Sequence, residues 1–397
     1  MNKLFLFTAT YPYRTAETFL EDEIHYLAKG FDEVIIQPLS GPSDNGFVRQ
    51  VPINSKVCRP VVTSTKLQYL KLLIPTRAWI TYIKEFFTKR AYVNVARLKT
   101  WLISFSLTNN LLLSKQIKDI FKNISKEDVC YFYWGKGSNT LAHFFKGKSK
   151  FISRFHGEWD LWEESSGNYA PLRELINQGL NKALFISQKG ECYYQKKYPE
   201  VQTDICRLGS YDNGIGSKSS DGVLRVVSCS TIYSLKRVDL IFESMFCASD
   251  IKIEWTHLGG GRDFDKLKKL TNSKKREGLE VILKGQITHD DVINYYKKHQ
   301  TDLFINLSIN EGIPVSIMEA ISFGIPVIAT DVGASSEVVV NGKSGILVSP
   351  NPTPQEVAKA IRDIVSKKGS LTPRSFWEEN YNADINYNRI VELLKTL

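Results

Sequence analysis

The sequence predicts an α/β fold built of two doubly wound, Rossmann-like domains. Short apolar runs alternate with segments of helical period along most of the chain, the pattern of parallel strands joined by crossover helices. The alternation is interrupted once, at residues 209–222 (GSYDNGIGSKSSDG), a stretch rich in Gly, Ser, Asn and Asp with almost no apolar content. It then restarts. A chain of 397 residues is long enough for two cores. The expected organisation is a first domain over 1–208, a linker over 209–222 and a second domain over 223–370. Residues 371–397 read as helical from the spacing of Ile390, Leu393 and Leu394 and are expected to cross back to the first domain.

In the first domain, strands are expected at 3–8, 34–37, 129–133, 151–153, 183–186 and 205–208. The opening, MNKLFLFTATYPY, has only four consecutive apolar residues and no small-residue cleavage site, so it reads as a strand and not as a signal peptide. In the second domain, strands are expected at 225–229, 252–258, 280–284, 302–306, 326–329 and 345–348. No uncharged apolar run approaches the ~18 residues of a membrane span. In open α/β sheets ligands bind beyond the carboxyl ends of the strands, so the cleft between two such facing domains is the default site.

The charge is uneven. Residues 56–126 hold fourteen lysines and arginines against two acids, Glu85 and Asp119, an excess larger than the net +10 of the whole chain. Leu, Ile, Phe, Tyr and Trp lie between these charges. A basic amphipathic segment of this kind suits an anionic membrane surface; a helical hairpin with a solvated basic face is the plainer reading. Nucleic acid is not expected as a partner. The six cysteines include no C-x-x-C pair and mostly sit in apolar runs, which points to free buried thiols in a reducing compartment.

The stretch NEGIPVSIMEA, residues 310–320, follows an expected strand and opens a helix. Pro314 suits the first helical position, and Ile313 before it is held extended. The amides near Val315 and Ser316 are then unpaired at the positive end of the helix dipole, where a diphosphate can bind. Glu319 could accept hydrogen bonds from a ribose diol and Glu311 from sugar hydroxyls. Acids placed near a helix start only for dipole stability explain the same residues.

N-E-G-x-P-V-S-I-M-E-A, followed by G-I-P-V-I-A-T-D-V-G-A-S-S-E and E-V-V-V-N-G-K-S-G-I-L-V, resembles the E-x7-E signature of the family-four glycosyltransferases. The resemblance implies the GT-B fold, two Rossmann-like domains facing each other across a cleft, and a nucleotide-sugar donor held mainly by the second. It assigns donor contacts to Gly312, Ile313, Pro314, Val315, Ser316 and Glu319, with Glu311 in the catalytic group. In SLKRVDLI, Lys236 would neutralise the diphosphate, with Arg237 beside it; Ser230 stands where the family often has an arginine. Gly260 in HLGGG and Gly285 and Gln286 in LKGQITHDDVINYY would lie against the donor. In SRFHGEWD, H-G-x-x-D resembles the family's active-site histidine segment, giving His156 a catalytic role and Arg154 and Asp160 acceptor contacts. ETFLEDEI resembles a branch found among exopolysaccharide and capsule enzymes, which makes Glu17 and Thr18 acceptor contacts; otherwise the segment is an ordinary helix start capped by Thr15.

Two phosphate motifs are excluded. Gly342-Lys343-Ser344 lacks the first glycine of a P-loop, because position 337 is Glu, and Gly135-x-Gly137 lacks the third glycine of a dinucleotide loop, because position 140 is Thr. No D-x-D or His/Asp cluster marks a metal site, and no cofactor is expected besides the donor substrate. The implied function is retaining, metal-independent transfer of a hexose-type sugar to a hydroxyl of a glycan or lipid-linked acceptor, by a cytoplasmic enzyme peripheral to the inner face of the cell membrane. The alternatives are a nucleotide-sugar epimerase on the same fold and a non-enzymatic two-domain sugar-binding protein.

Overall fold

A computed structural model describes residues 2–13, 17–42, 48–163, 166–366 and 369–396. The chain divides into two units, Met1–Cys206 with Tyr387–Leu397, and Arg207–Asn386. Each is built on one parallel sheet.

The first unit's strands are β1 (Lys3–Thr8), β2 (Glu33–Pro38), β3 (Ser55–Val57), β4 (Val129–Phe132), β5 (Lys150–Phe155), β6 (Lys182–Phe185) and β7 (Thr203–Ile205). They lie in the order β3-β2-β1-β4-β5-β6-β7. Residues of β1 and β4 are nearly all buried, as strands covered by helices on both faces must be. Phe7, Phe132 and Phe151 anchor the core beneath the helices. The short β3 was not expected: three residues, Ser-Lys-Val, carry no periodicity. The sheet's last strand forms a few residues before the expected 205–208.

The second unit's strands are β8 (Leu224–Cys229), β9 (Ile253–Leu258), β10 (Leu279–Leu283), β11 (Leu303–Asn306), β12 (Val327–Thr330) and β13 (Gly345–Val348), in the order β10-β9-β8-β11-β12-β13. All are parallel, so every carboxyl end faces the same edge. Trp255, fully buried, centres the core and donates Nε1–H to Ser228 Oγ at 2.9 Å. The stretch 209–222 is not a loose tether. Arg374 Nη2 donates to Asp212 at 2.6 Å, Trp377 Nε1 to Ser210 Oγ at 2.8 Å, and Ser219 bonds Asp302 through its amide and hydroxyl.

The helix Ala383–Lys395 begins in the second unit and ends in the first, where Tyr387 packs against Tyr26 with ring centroids 5.4 Å apart. The six cysteines are all free, as expected; Cys130 and Cys206 are buried, Cys58, Cys229 and Cys247 half-buried, and Cys192 is exposed.

The basic segment forms the helices Thr65–Leu70, Arg77–Thr88, Val95–Leu113 and Lys115–Asn123. Arg77–Thr88 is apolar on two faces. Ala78 and Tyr82 face the core, where Tyr82 packs on Phe105 and shares its hydroxyl with Ser104 and Thr108. Ile80, Ile83 and Phe87 face outward, and Ile80 is 79% exposed. Fourteen of the twenty exposed large hydrophobic residues among those described lie within 67–103. Lys66, Lys71, Arg77, Lys84, Lys89, Arg90 and Lys99 are exposed among them.

Candidate active site

The second unit gathers its candidate residues at the carboxyl edge of its sheet. After β11 the chain turns through 307–314 and enters the helix Val315–Ser322. Pro314 is the N-cap residue, one position before the helix and not within it as expected. It has no side-chain oxygen to cap with, so the amides of Val315 and Ser316 keep the anion-binding character of an uncapped helix start. Ile313 and Pro314 are buried, while Gly312, Val315 and Ser316 are half-buried.

Glu311 is 7% exposed. Lys236 Nζ donates to its Oε1 at 2.5 Å, and Asn306 Nδ2 lies 3.4 Å from the same oxygen. The loop after β12 supports it from behind. Gly333 has φ +55°, and a Cβ there would sit 1.7 Å from the Glu311 carbonyl oxygen. Ala334 N–H donates to Gly312 O at 3.2 Å. The glycine is thus required by close backbone approach, which ties the second half of the motif to the first.

Arg237 adopts a left-handed conformation (φ +46°), and its guanidinium donates to the carbonyls of Leu307 at 2.5 Å, Ser308 at 2.9 Å and Pro350 at 2.8 Å. It fixes the loop that carries Glu311. Glu319 is buried and accepts from His289 Nε2 at 2.7 Å. His289 opens the helix His289–Lys298, which is closed by a capping box between Thr288 and Asp291.

Loops after β8, β9 and β10 pack together beside this site. Gly259 N–H donates to Gly285 O at 3.0 Å, and a Cβ on Gly259 (φ +141°) would meet Ser230 O at 2.1 Å. Gly260 abuts the backbone of Gln286, whose side chain is exposed. His257 holds the same corner: Nε2 donates to Ser230 O at 3.1 Å, and Nδ1 accepts from the Ser228 hydroxyl at 2.8 Å. Burial lowers its pKa to about 4, so it is neutral.

In the first unit, His156 follows β5 and is 8% exposed. Its Nε2 lies 2.9 Å from Tyr133 O; a carbonyl only accepts, so Nε2 carries the proton and Nδ1 the lone pair. The ring is packed among Trp134 (4.5 Å), Tyr133 (4.9 Å) and Phe19 (5.4 Å). Burial first, then the Arg154 charge, pushes its pKa well below the usual value, so it is a neutral hydrogen-bonding group.

Asp160 is fully buried and accepts from the amides of His156 (3.0 and 3.1 Å) and Gly135 (3.1 Å). Burial raises its pKa to about 6. It positions His156 and has no surface for an acceptor. Arg154 is likewise enclosed, with Nη1 at 2.5 Å from Glu23 Oε2 and Nη2 at 2.7 Å from Cys206 O. A side chain with no exposed area cannot contact a substrate, and the expected acceptor contacts of Arg154 and Asp160 are corrected on that ground.

Glu17 is corrected similarly. Its carboxylate accepts from the amides of Ala9 (3.0 Å), Thr10 (2.7 Å) and Tyr11 (2.7 Å) and from Trp134 Nε1 (2.6 Å), which engages both oxygens in shaping the loop after β1. It does so from a left-handed conformation (φ +59°) rare for a side chain with a Cβ. Thr18 is exposed at the N-cap of the helix Phe19–Gly30 with no side-chain cap bond. Thr15 lies outside the described residues. Among the described residues no group of three or more His, Cys, Asp or Glu side chains is placed to hold a metal, and no helix is long and apolar enough to cross a membrane.

Two parallel-sheet Rossmann-like units make up the GT-B fold. The protein is similar over its whole length to a solved lipopolysaccharide outer core galactosyltransferase, WaaB (TM-score 0.71, 15% identity, all of both chains). It is similar to the same extent of chain to Alr3699/HepE of Anabaena, solved with UDP (TM-score 0.66, 14% identity). Residues 217–382, which lie within the second unit, match the family described as Glycosyl transferases group 1. Among curated relatives, the amylovoran biosynthesis glycosyltransferase AmsK of Erwinia amylovora is 24% identical over 215 residues, half of this chain and 52% of its own length. The first curated relatives are matched over about a third of their own length.

Proposed function

We propose that this protein is a retaining, metal-independent glycosyltransferase resembling family four. It moves a hexose-type sugar from a nucleotide-sugar to a hydroxyl of a growing, lipid-linked surface polysaccharide or glycan. The observation that carries the reading is the pairing of Lys236 with Glu311 beside an uncapped helix start. This is a cation and a pair of amides for a diphosphate, next to a carboxylate for sugar hydroxyls.

In this reading the donor's diphosphate meets Lys236 and the amides of Val315 and Ser316. Glu319 accepts from the ribose, with His289 as its neighbour on that side, and the base lies along Gly260, Gly285 and Gln286. The acceptor oxygen bonds to the anomeric carbon on the face from which the diphosphate leaves. The carbon–oxygen bond to phosphate breaks, and the acceptor proton passes to the departing phosphate oxygen. Lys236 and the helix start stabilise the charge left on that phosphate. In the first unit, neutral His156, held by Asp160, offers Nδ1 to a hydroxyl. Thr18 faces the acceptor. The exposed apolar and basic band of 67–103 seats the protein on an anionic membrane surface, on the cytoplasmic side where nucleotide-sugars are made.

A thermal-shift panel of nucleoside diphosphates and nucleotide-sugars tests the donor half. One nucleotide family should raise the melting temperature, and its sugar-bearing form should raise it further. No response to any member would overturn the reading. Incubation with the matched donor alone should leave the sugar's configuration unchanged, whereas an epimerised product would assign the protein to the other enzyme class.

A further inference from the structure

Glu319 lies in the second turn of the helix Val315–Ser322, and its side chain is only 7% exposed. Its Oε1 lies 2.7 Å from His289 Nε2. A carboxylate only accepts, so Nε2 is the donor. Among the described residues no other group is hydrogen-bonded to this carboxylate. The partner comes from a different helix, 30 residues earlier in the chain.

His289 is delivered to that place by a fixed element. It holds the first position of the helix His289–Lys298, directly after the capping box. There Asp291 N–H donates to Thr288 Oγ1 at 3.2 Å, and Thr288 N–H donates to Asp291 Oδ2 at 3.3 Å. Val292 and Tyr296 follow on the same helical face and are buried. Tyr296 packs on Phe323, at the end of the helix that carries Glu319, with ring centroids 5.2 Å apart. The two helices are therefore docked by apolar contact at one end and joined by the imidazole at the other. The loop of Gly285 and Gln286 runs directly into the same helix, so one element positions both that backbone and the Glu319 carboxylate.

Stability does not explain the pair. The His289 side chain is 60% exposed, and a contact made by so solvated a group adds little to folding. Its effect falls on Glu319 instead. A glutamate has three side-chain torsions, and confining them costs entropy that must otherwise be lost when a ligand binds. The hydrogen bond confines them beforehand. A carboxylate offers about four acceptor sites. His289 takes one, which leaves Oε2 and a lone pair of Oε1 for the two hydroxyls of a vicinal diol.

We infer that His289 is a positioning residue: it holds Glu319 ready for the 2′- and 3′-hydroxyls of a ribose and so sets a preference for ribonucleotides over 2′-deoxyribonucleotides. The inference rests on the assignment of Glu319 to the ribose made above.

The test is titration calorimetry of the full chain with UDP, ADP and GDP, each beside its 2′-deoxy counterpart. The parent chain should bind one ribonucleotide about tenfold more tightly than its deoxy form. His289→Ala should weaken that ribonucleotide about fivefold and the deoxy form less than about twofold. His289→Gln, whose amide Nε2 has a similar reach, should restore most of the preference. A general loosening of the helix would weaken both forms alike. Equal weakening of the two forms in His289→Ala, an unchanged preference there, or His289→Gln behaving as His289→Ala would overturn the role of His289. Glu319→Gln separates this failure from failure of the ribose assignment. A preference lost in Glu319→Gln but kept in His289→Ala overturns only the positioning role. A preference that survives Glu319→Gln, or is absent from the parent chain, removes Glu319 from the ribose and His289 with it.

Discussion

The ammonium of Lys236 lies 2.5 Å from a carboxylate oxygen of Glu311, joining two segments 75 residues apart. Both side chains are largely buried, so neither is held in place by bulk solvent. Lys236→Ala should lower nucleoside diphosphate affinity ten- to hundredfold, corresponding to loss of a charged hydrogen bond of about 1.5–3 kcal/mol. Glu311→Gln should penalise the nucleotide-sugar more than the plain diphosphate. Calorimetric titration of both ligands into both variants decides the matter; equal losses for the two ligands in Glu311→Gln would remove Glu311 from the sugar.

Gly333 supports that pair from behind. Gly333→Ala places a methyl where the Glu311 carbonyl now sits and asks an L-residue to hold φ +55°. The backbone term alone is about 1–2 kcal/mol. The variant should lose at least that much stability in urea and lose donor affinity with it. Retention of full affinity would mean that the loop is not a donor element.

His257 gives the second unit an acid-sensitive joint. Its pKa is about 4 in the fold and near 6.5 when the chain is unfolded. Between these values the unfolded chain holds a proton that the folded one does not, so stability falls as pH drops from 6.5 to 4, by about 3 kcal/mol in full. Urea denaturation at pH 7.5 and 4.5 should show a smaller acid loss in His257→Gln than in the parent chain. An identical loss would mean that the imidazole is not held neutral.

Arg154 and Glu23 form an ion pair in which neither side chain has exposed area. Arg154→Met should cost about 3–5 kcal/mol, because it strands the Glu23 carboxylate in the core. Adding Glu23→Gln should restore much of that loss. If Arg154→Met were as stable as the parent but impaired in transfer, the residue would be an acceptor contact after all.

The apolar band makes a prediction outside the active site. The chain should float with anionic vesicles and much less with neutral ones, and salt should weaken the association. Replacing Ile80, Ile83 and Phe87 with Ser should abolish flotation without changing nucleotide affinity, since these side chains face solvent.

The sequence disclosed elements more readily than partnerships. Strands such as β1 and β12 stand out because they are nearly continuous apolar runs; β3 does not, because three residues give no pattern. The spacing of Glu311 and Glu319 was visible, but not that Lys236 holds one and His289 the other, because pairing across 75 or 30 residues leaves no local trace. Glu17 and Arg154 looked available for an acceptor, and only the complete accounting of their hydrogen bonds places them inside the scaffold.

The helix Ala383–Lys395 makes the polypeptide a natural split protein. A nick within 209–222 would give two pieces, and the carboxyl-terminal piece would retain Tyr387, Ile390 and Leu394, buried side chains that complete the other piece's core beside Tyr26. Neither piece is self-sufficient: one lacks its closing helix, and the other carries an apolar stripe with nothing to cover it. Co-expressed halves should therefore find each other and reconstitute, whereas either half made alone should be insoluble.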